Sequence, residues 1–146
     1  MTKTTLATLS DQQEAASTWY VVDASQHVLG RMAVKIAEVL MGKDRPLYTP
    51  HIGVGAGVIV VNADKVRVTG NKMAGRTYRH YTGYVGGLKE RTMAEFLEAN
   101  PEQLVNTVVR RMLPKNRMGK AMLSRLKVYD GAEHPHTAQA PKPLDI

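Results

Sequence analysis

Two short, β-rich apolar runs on either side of one amphipathic helical stretch leave few folds open to this chain. Trp19-Tyr20-Val21-Val22 is aromatic and β-branched and stops at Asp23, the signature of a strand. Leu29, Met32, Ala33, Ile36, Ala37 and Leu40 then recur at helical spacing. Arg31, Lys35 and Glu38 fall on the opposite side, and Gly42 supplies a stop. Pro46, Pro50 and the alternating Gly53, Gly55 and Gly57 mark a loop, and Val58-Ile59-Val60-Val61 reads as a strand buried on both faces. Strand, helix, strand is one βαβ unit. Its strands should run parallel in one sheet, joined by a right-handed crossover with the helix packed across it. The class is α/β.

The rest of the chain is less periodic. Val66-Arg67-Val68-Thr69 alternates like a further strand, and Gly70–Gly87 reads mostly as an extended, basic, aromatic loop. Thr92-Met93-Ala94-Glu95 has the form of a capping box, and Asn100-Pro101 opens a second helix. That helix carries an inward stripe of Leu104, Val105, Val108, Val109, Met112 and Leu113, turns Arg110 and Arg111 outward, and ends at Pro114. A third helix over 118–126 points Met118, Met122, Leu123 and Leu126 inward. Residues 1–18 show no sustained periodicity and read as a mobile leader. Residues 19–146 form one domain whose tail, from Gly131, is irregular.

Composition narrows the function. Without cysteine there are no disulfides and no thiolate metal sites. The longest aliphatic run, Val58–Val61, is far short of a membrane span, and the first eighteen residues lack the pattern of a secretory signal, so a soluble, intracellular protein is expected. The net charge of +7 is unevenly placed. Lys65–Arg91 holds seven basic residues against Glu90 alone, and Arg110–Lys127 holds seven with no acid, so the remainder of the chain is acidic. Such segregation suggests a polyanionic partner; the alternative is two solvated faces kept basic for solubility, which alone does not require it.

Two glycine motifs suggest nucleotide chemistry and fail on context. Gly53–Gly57 misplaces the third glycine of a dinucleotide loop and precedes a strand, so turn chemistry is the better reading. Gly70–Thr77 matches phosphate-loop spacing with Arg76 in place of lysine. Tyr78–Gly83 then lacks the pattern of the helix whose amides would hold a phosphate. The same stretch makes better sense as an RNA surface. Arg76, Tyr78, Arg79, His80 and Tyr81 interleave guanidinium forks with rings that can stack on unpaired bases. The competing reading is an edge hairpin whose tyrosines merely pack. His134-Pro135-His136 could be half a metal site but lies in the irregular tail, where a surface role fits better. No nucleophile triad or carboxylate pair stands out.

These residues, taken in order, resemble the bacterial members of the universal large-subunit ribosomal protein L13 family over Trp19–Ile146. The resemblance is carried by Trp19–Ala24, Leu29-Gly30-Arg31, Tyr48–His51, Val60–Val66 and Val68–Lys72. It continues through Thr82-Gly83, Gly86-Gly87, Met112–Lys115, Ala121-Met122, Leu126–Tyr129, His134 and His136. It implies a three-layer α/β/α fold with a small, mainly parallel sheet and loop-rich basic extensions. It also implies binding to large-subunit rRNA, a part in early subunit assembly, and neighbouring ribosomal proteins as further contacts. No enzymatic activity, cofactor, metal, membrane or small-molecule substrate is expected. Candidate RNA-facing residues fall in three groups. Lys43, Arg45 and His51 follow the first helix. Lys72, Arg76, Tyr78, Arg79, His80 and Tyr81 lie in the glycine-rich stretch. The third group is Arg110, Arg111, Lys115, Arg117, Lys120, Arg125, Lys127, His134 and His136. Three places depart from the family pattern: Gly53 and Ala56 stand where relatives usually carry acids, Val85 where many have proline, and the leader is not basic. An enzyme acting on nucleotides at Gly70–Thr77 would need a concave pocket with a base; an RNA-binding protein needs cations spread over a broad face.

Overall fold

A computed structural model of the chain describes residues 6–146. A short helix α1 (Leu9–Ser17) leads into strand β1 (Trp19–Asp23), helix α2 (Leu29–Met41) and strand β2 (Gly57–Val61). Then come a single helical turn α3 (Lys72–Gly75) and strands β3 (Thr77–Tyr81) and β4 (Leu88–Thr92). Helices α4 (Met93–Ala99), α5 (Pro101–Met112) and α6 (Arg117–Ser124) and strands β5 (Leu126–Val128) and β6 (Lys142–Pro143) complete the order. The main sheet runs β5-β2-β1-β6 with every neighbouring pair parallel; β3 and β4 form a separate antiparallel hairpin. The expected α/β class and the mainly parallel sheet are what the chain adopts.

The βαβ unit forms as its pattern dictates. β1 and β2 pair from Trp19 opposite Gly57 to Asp23 opposite Val61. Alternation along the strands places Val22, Val58 and Val60 in one core with Met32, Ile36 and Leu40 of α2 and Leu104, Val105 and Val109 of α5. Burying side chains of this size stabilises by about 1.5–3 kcal/mol each, so this layer is where most of the stability resides. Helix α2 ends as read: Gly42 sits at φ 76°, and its N–H reaches the carbonyls of Glu38 and Val39. At the other end no side chain caps α2. The Leu29 N–H instead donates to the Arg67 carbonyl at 2.9 Å. That bond accounts for a correction: Val66–Thr69 is not a strand but touches Val28 through one isolated bridge, its backbone occupied in satisfying the helix end.

The loop glycines need a second correction. None of Gly53, Gly55 and Gly57 has a positive φ, so turn conformation does not explain them. A Cβ on Gly55 would run into the Leu40 carbonyl, and one on Gly57 into the Trp19 ring. They are close-approach residues that let the loop lie against α2 and β1.

Beyond β2 the strand ends are tied together. The Asp23 carboxylate accepts from Asn62 Nδ2 at 3.0 Å, from the Ser25 N–H at 3.0 Å and Oγ at 2.8 Å, and from Gln26 Nε2 at 3.2 Å. The Asn62 amide, first among these donors, holds the Asp23 pKa at about 2, below its ordinary value.

The ends of the chain are more ordered than the sequence suggests. Residues 1–5 of the expected leader lie outside the described residues, but α1 is a helix. A capping box between Thr8 and Asp11 starts it, and Ala7 and Ala15 pack with Val54. The tail supplies β6, which pairs Lys142 and Pro143 with Tyr20 and Val21, and the Leu144 N–H donates to the Val21 carbonyl at 3.0 Å. His136 stacks on Trp19 at 5.9 Å between ring centroids, and its Nε2 lies 2.7 Å from the Tyr129 hydroxyl.

Candidate nucleic-acid interface

Residues 77–92 form a hairpin, where the stretch Gly70–Gly87 was expected to be mostly an extended loop. Tyr78 lies opposite Arg91, Arg79 opposite Glu90, His80 opposite Lys89, and Tyr81 opposite Leu88. Strand alternation therefore gives the hairpin two unlike faces. Tyr78, His80, Lys89 and Arg91 share the side that meets α4 and α5. Arg79, Tyr81, Leu88 and Glu90 share the other, where Arg79 and Glu90 form an exposed ion pair at 2.6 Å. The residues after the Gly70–Thr77 motif are thus a strand, not the helix a phosphate loop requires.

The hairpin is anchored at its base. Thr92 and Glu95 make the expected capping box of α4, and the Met93 N–H donates to the Arg76 carbonyl at 2.8 Å. Tyr78 is buried; its ring meets Phe96 edge-on at 5.2 Å, and the guanidinium carbons of Arg111 and Arg76 lie 5.1 and 5.6 Å from its centroid. Cation–π contacts of this kind contribute roughly 0.5–1 kcal/mol each at partly exposed sites. Among the described residues the Tyr78 hydroxyl finds no hydrogen-bond partner. The packing half of the competing hairpin reading holds for Tyr78, whose ring has no free face for a base; Tyr81 stays exposed.

Helix α5 supplies the opposite wall. Gln103, Thr107, Arg110 and Arg111 follow each other at helical spacing on its outer side. Together with Arg79, His80, Lys89 and Arg91 they line a groove of about 370 Å³ whose floor includes Tyr78 and Phe96. A second groove of about 650 Å³ shares Arg110 and Arg111 and continues along Pro114, Lys115, Asn116, Arg117 and Lys120. The turn into α6 is set by Asn116, whose Oδ1 accepts from the Gly119 N–H at 2.8 Å, and by Gly119, where a Cβ would strike the Pro114 carbonyl. The fold thus brings the two basic segments of the sequence together. Among the described residues the only ion pairs are Lys35–Glu38 and Arg79–Glu90, so Lys89, Arg91, Arg110, Arg111, Lys115, Arg117 and Lys120 carry uncompensated charge.

The other candidates distribute unevenly. Lys72 and Arg76 line a smaller depression that reaches Tyr78 from the α2 side. Lys43, Arg45 and His51 lie in the loop after α2, away from the grooves, and Arg45 shares its depression with Asp11, Glu14 and Asp44. Lys127 is exposed on β5. Arg125 turns inward: Nη1 donates to the carbonyls of Gly53 and Gly55, and burial pushes its pKa down. His134 Nδ1 accepts from the His136 N–H at 3.2 Å, so both tail histidines are engaged in holding the tail to Trp19 and Tyr129. Two groove cations, Lys89 and Arg91, escaped the sequence reading. Their alternation with Glu90 was the available signal, visible only once residues 88–92 are known to be a strand.

Among the described residues, no three His, Cys, Asp or Glu side chains gather as a metal-holding group, and no helix is long and apolar enough to cross a membrane. Residues 17–135 match the family model for Ribosomal protein L13. Relatives named large ribosomal subunit protein uL13 are similar along nearly their whole length. The one from Maridesulfovibrio salexigens is 58% identical over 128 residues, covering 88% of this chain and 90% of the relative. That from Thermotoga maritima is 54% identical over 139 residues, with 95% and 93% covered. That from Geobacter sulfurreducens is 50% identical over 138 residues, with 94% and 96% covered.

Proposed function

The chain belongs to the ribosomal protein L13 family, and from that premise we propose that it is a structural constituent of the large ribosomal subunit that binds rRNA through the paired grooves between the hairpin, α5 and α6. The observation that carries this reading is the convergence of two sequence-distant basic segments on one surface where, among the described residues, Arg79 alone of the groove cations has an acidic partner. A duplex or folded RNA presents phosphates at close spacing, and each cation that neutralises one releases a counterion. Arginine forks at Arg91, Arg110 and Arg111 suit bidentate phosphate contacts, while the lysines act as point charges. The protein braces RNA by bridging strands that meet at this surface, which is the contribution expected of it in early subunit assembly. Adjacent ribosomal proteins contact its remaining faces, and it resides with the ribosome in the cytoplasm.

The nucleotide-enzyme reading has less support, since its motif leads into a strand and its basic groups are dispersed along open grooves. Gradient sedimentation of a lysate containing the tagged full chain tests the proposal. The protein should travel with the large subunit and leave it at high salt. A protein that stays at the top of the gradient under low salt contradicts the reading.

A further inference from the structure

The tip of the β3–β4 hairpin holds side chains that the groove does not use. Tyr81 and Tyr84 are 59% and 80% exposed, and Val85 and Leu88 beside them are exposed as well. The chain does not leave this tip slack. The Thr82 N–H donates to the Gly87 carbonyl at 3.1 Å, and the Gly87 N–H donates to the Tyr84 carbonyl at 2.9 Å. Gly83 and Gly86 take φ 92° and 74°, a conformation that favours glycine. A Cβ on Gly87 would run into the Thr82 hydroxyl. Residues 82–87 thus form a hydrogen-bonded turn that presents Tyr84 outward. No aromatic contact engages Tyr81 or Tyr84 among the described residues.

Exposed rings on a rigid turn are costly in water unless something covers them, and rigidity lowers the ordering cost when it does. The charge around the tip identifies the cover. Residues 81–88 contain no acid, Glu90 is already paired with Arg79, and Lys89 and Arg91 lead from the tip into the groove. An occupant must therefore combine flat apolar faces with negative charge at close spacing, which is the chemistry of unpaired bases on an RNA backbone.

We infer that the hairpin tip is a base-stacking platform, on which Tyr84 and Tyr81 receive unpaired RNA bases while the adjoining groove holds the phosphates of the same strand. This rests on the RNA reading of the grooves and adds to it where the discrimination between single-stranded and paired RNA resides. Tyr78, read from the sequence as a stacking ring, is excluded by its burial, and Tyr84 takes its place.

The test uses the full chain, a fluorescent single-stranded adenine oligonucleotide of about twelve residues and an RNA duplex of similar length. The variants are Tyr81→Leu with Tyr84→Leu, Tyr84→Phe, and Lys89→Gln with Arg110→Gln, each first shown to be folded by circular dichroism. The double leucine variant keeps apolar area but loses the rings. Its affinity for the single strand should fall roughly tenfold per ring, with duplex affinity unchanged and Tyr84→Phe close to wild type. The glutamine variant should weaken both probes. Single-strand affinity within twofold of wild type in the double leucine variant overturns the inference while leaving the groove reading standing. So does a leucine variant that binds both probes normally but no longer sediments with the large subunit, because the tip would then dock on a protein. Wild-type protein that binds neither probe overturns the RNA reading and this inference with it.

Discussion

Arg125 is the basic residue whose structural role separates it most clearly from the cations proposed to bind RNA. Six of the seven basic residues between Arg110 and Lys127 are exposed; Arg125 reaches across to the carbonyls of Gly53 and Gly55. Those carbonyls belong to the loop that lies against the C-terminal end of α2, so the contact ties β5 to the loop entering β2. Hydrogen bonds to a charged group contribute about 1.5–3 kcal/mol each. Part of that is offset by removing the guanidinium from water, the same burial that lowers its pKa. Replacing Arg125 by methionine keeps much of the stem volume and removes both bonds, for a net loss of roughly 2–3 kcal/mol. With a urea m-value of about 2 kcal/mol/M, the unfolding midpoint should drop by ~1–1.5 M at unchanged m. Lysine, a single point donor, should recover only part of the loss. The log-log salt slope of RNA binding, measured well below the new midpoint, should not move. A methionine variant as stable as wild type whose slope falls by about 0.7–0.9 would refute this argument and make Arg125 a phosphate contact.

Two further perturbations follow from the same structure. His136→Ala removes the stack on Trp19 and the bond to the Tyr129 hydroxyl; it should lower stability by about 1–2 kcal/mol and shift the emission of Trp19, the chain's sole tryptophan, while leaving the salt slope of RNA binding alone. The Asp23 pKa, lowered to about 2 in the fold, makes its ionised form stabilising above the unfolded value near 3.8, a contribution lost as pH falls from about 4 toward 2. After allowance for solvent screening this amounts to about 1 kcal/mol, and Asn62→Ala should flatten that part of the stability–pH curve.

What could be read in advance was whatever apolar periodicity records. The βαβ unit and helix α5 were legible because their buried faces repeat at strand and helix spacing, and because Gly42, Thr92 and Pro114 punctuate them. The hairpin was not, since of its ten strand residues only Tyr78 is buried, and a strand that buries nothing leaves no alternation in the sequence. Strand β6 is two residues long and includes a proline; it exists because the tail returns to β1, a long-range event invisible to local pattern. Leu126, assigned to the third helix, starts β5 instead, where β2 offers it backbone partners. For the site, charge segregation pointed to the two segments that the fold brings together and to most of the cations that line the grooves. Residue type alone could not tell an outward arginine from Arg125, nor an exposed tyrosine from Tyr78, because the same chemistry serves inside and outside the fold. Burial decided both.

If the two basic segments act as one phosphate-binding surface, the salt dependence of binding to the organism's own large-subunit rRNA must report it. Lys89, Arg110 and Lys115 come from the hairpin, from α5 and from the turn before α6, and together span both grooves. Replacing all three by glutamine in the full chain should weaken binding at low salt and reduce the log-log slope by about two to three units, with thermal stability unchanged. A folded triple variant that keeps wild-type affinity and slope would show that the grooves are only a solvated face and that the RNA lies elsewhere on the molecule.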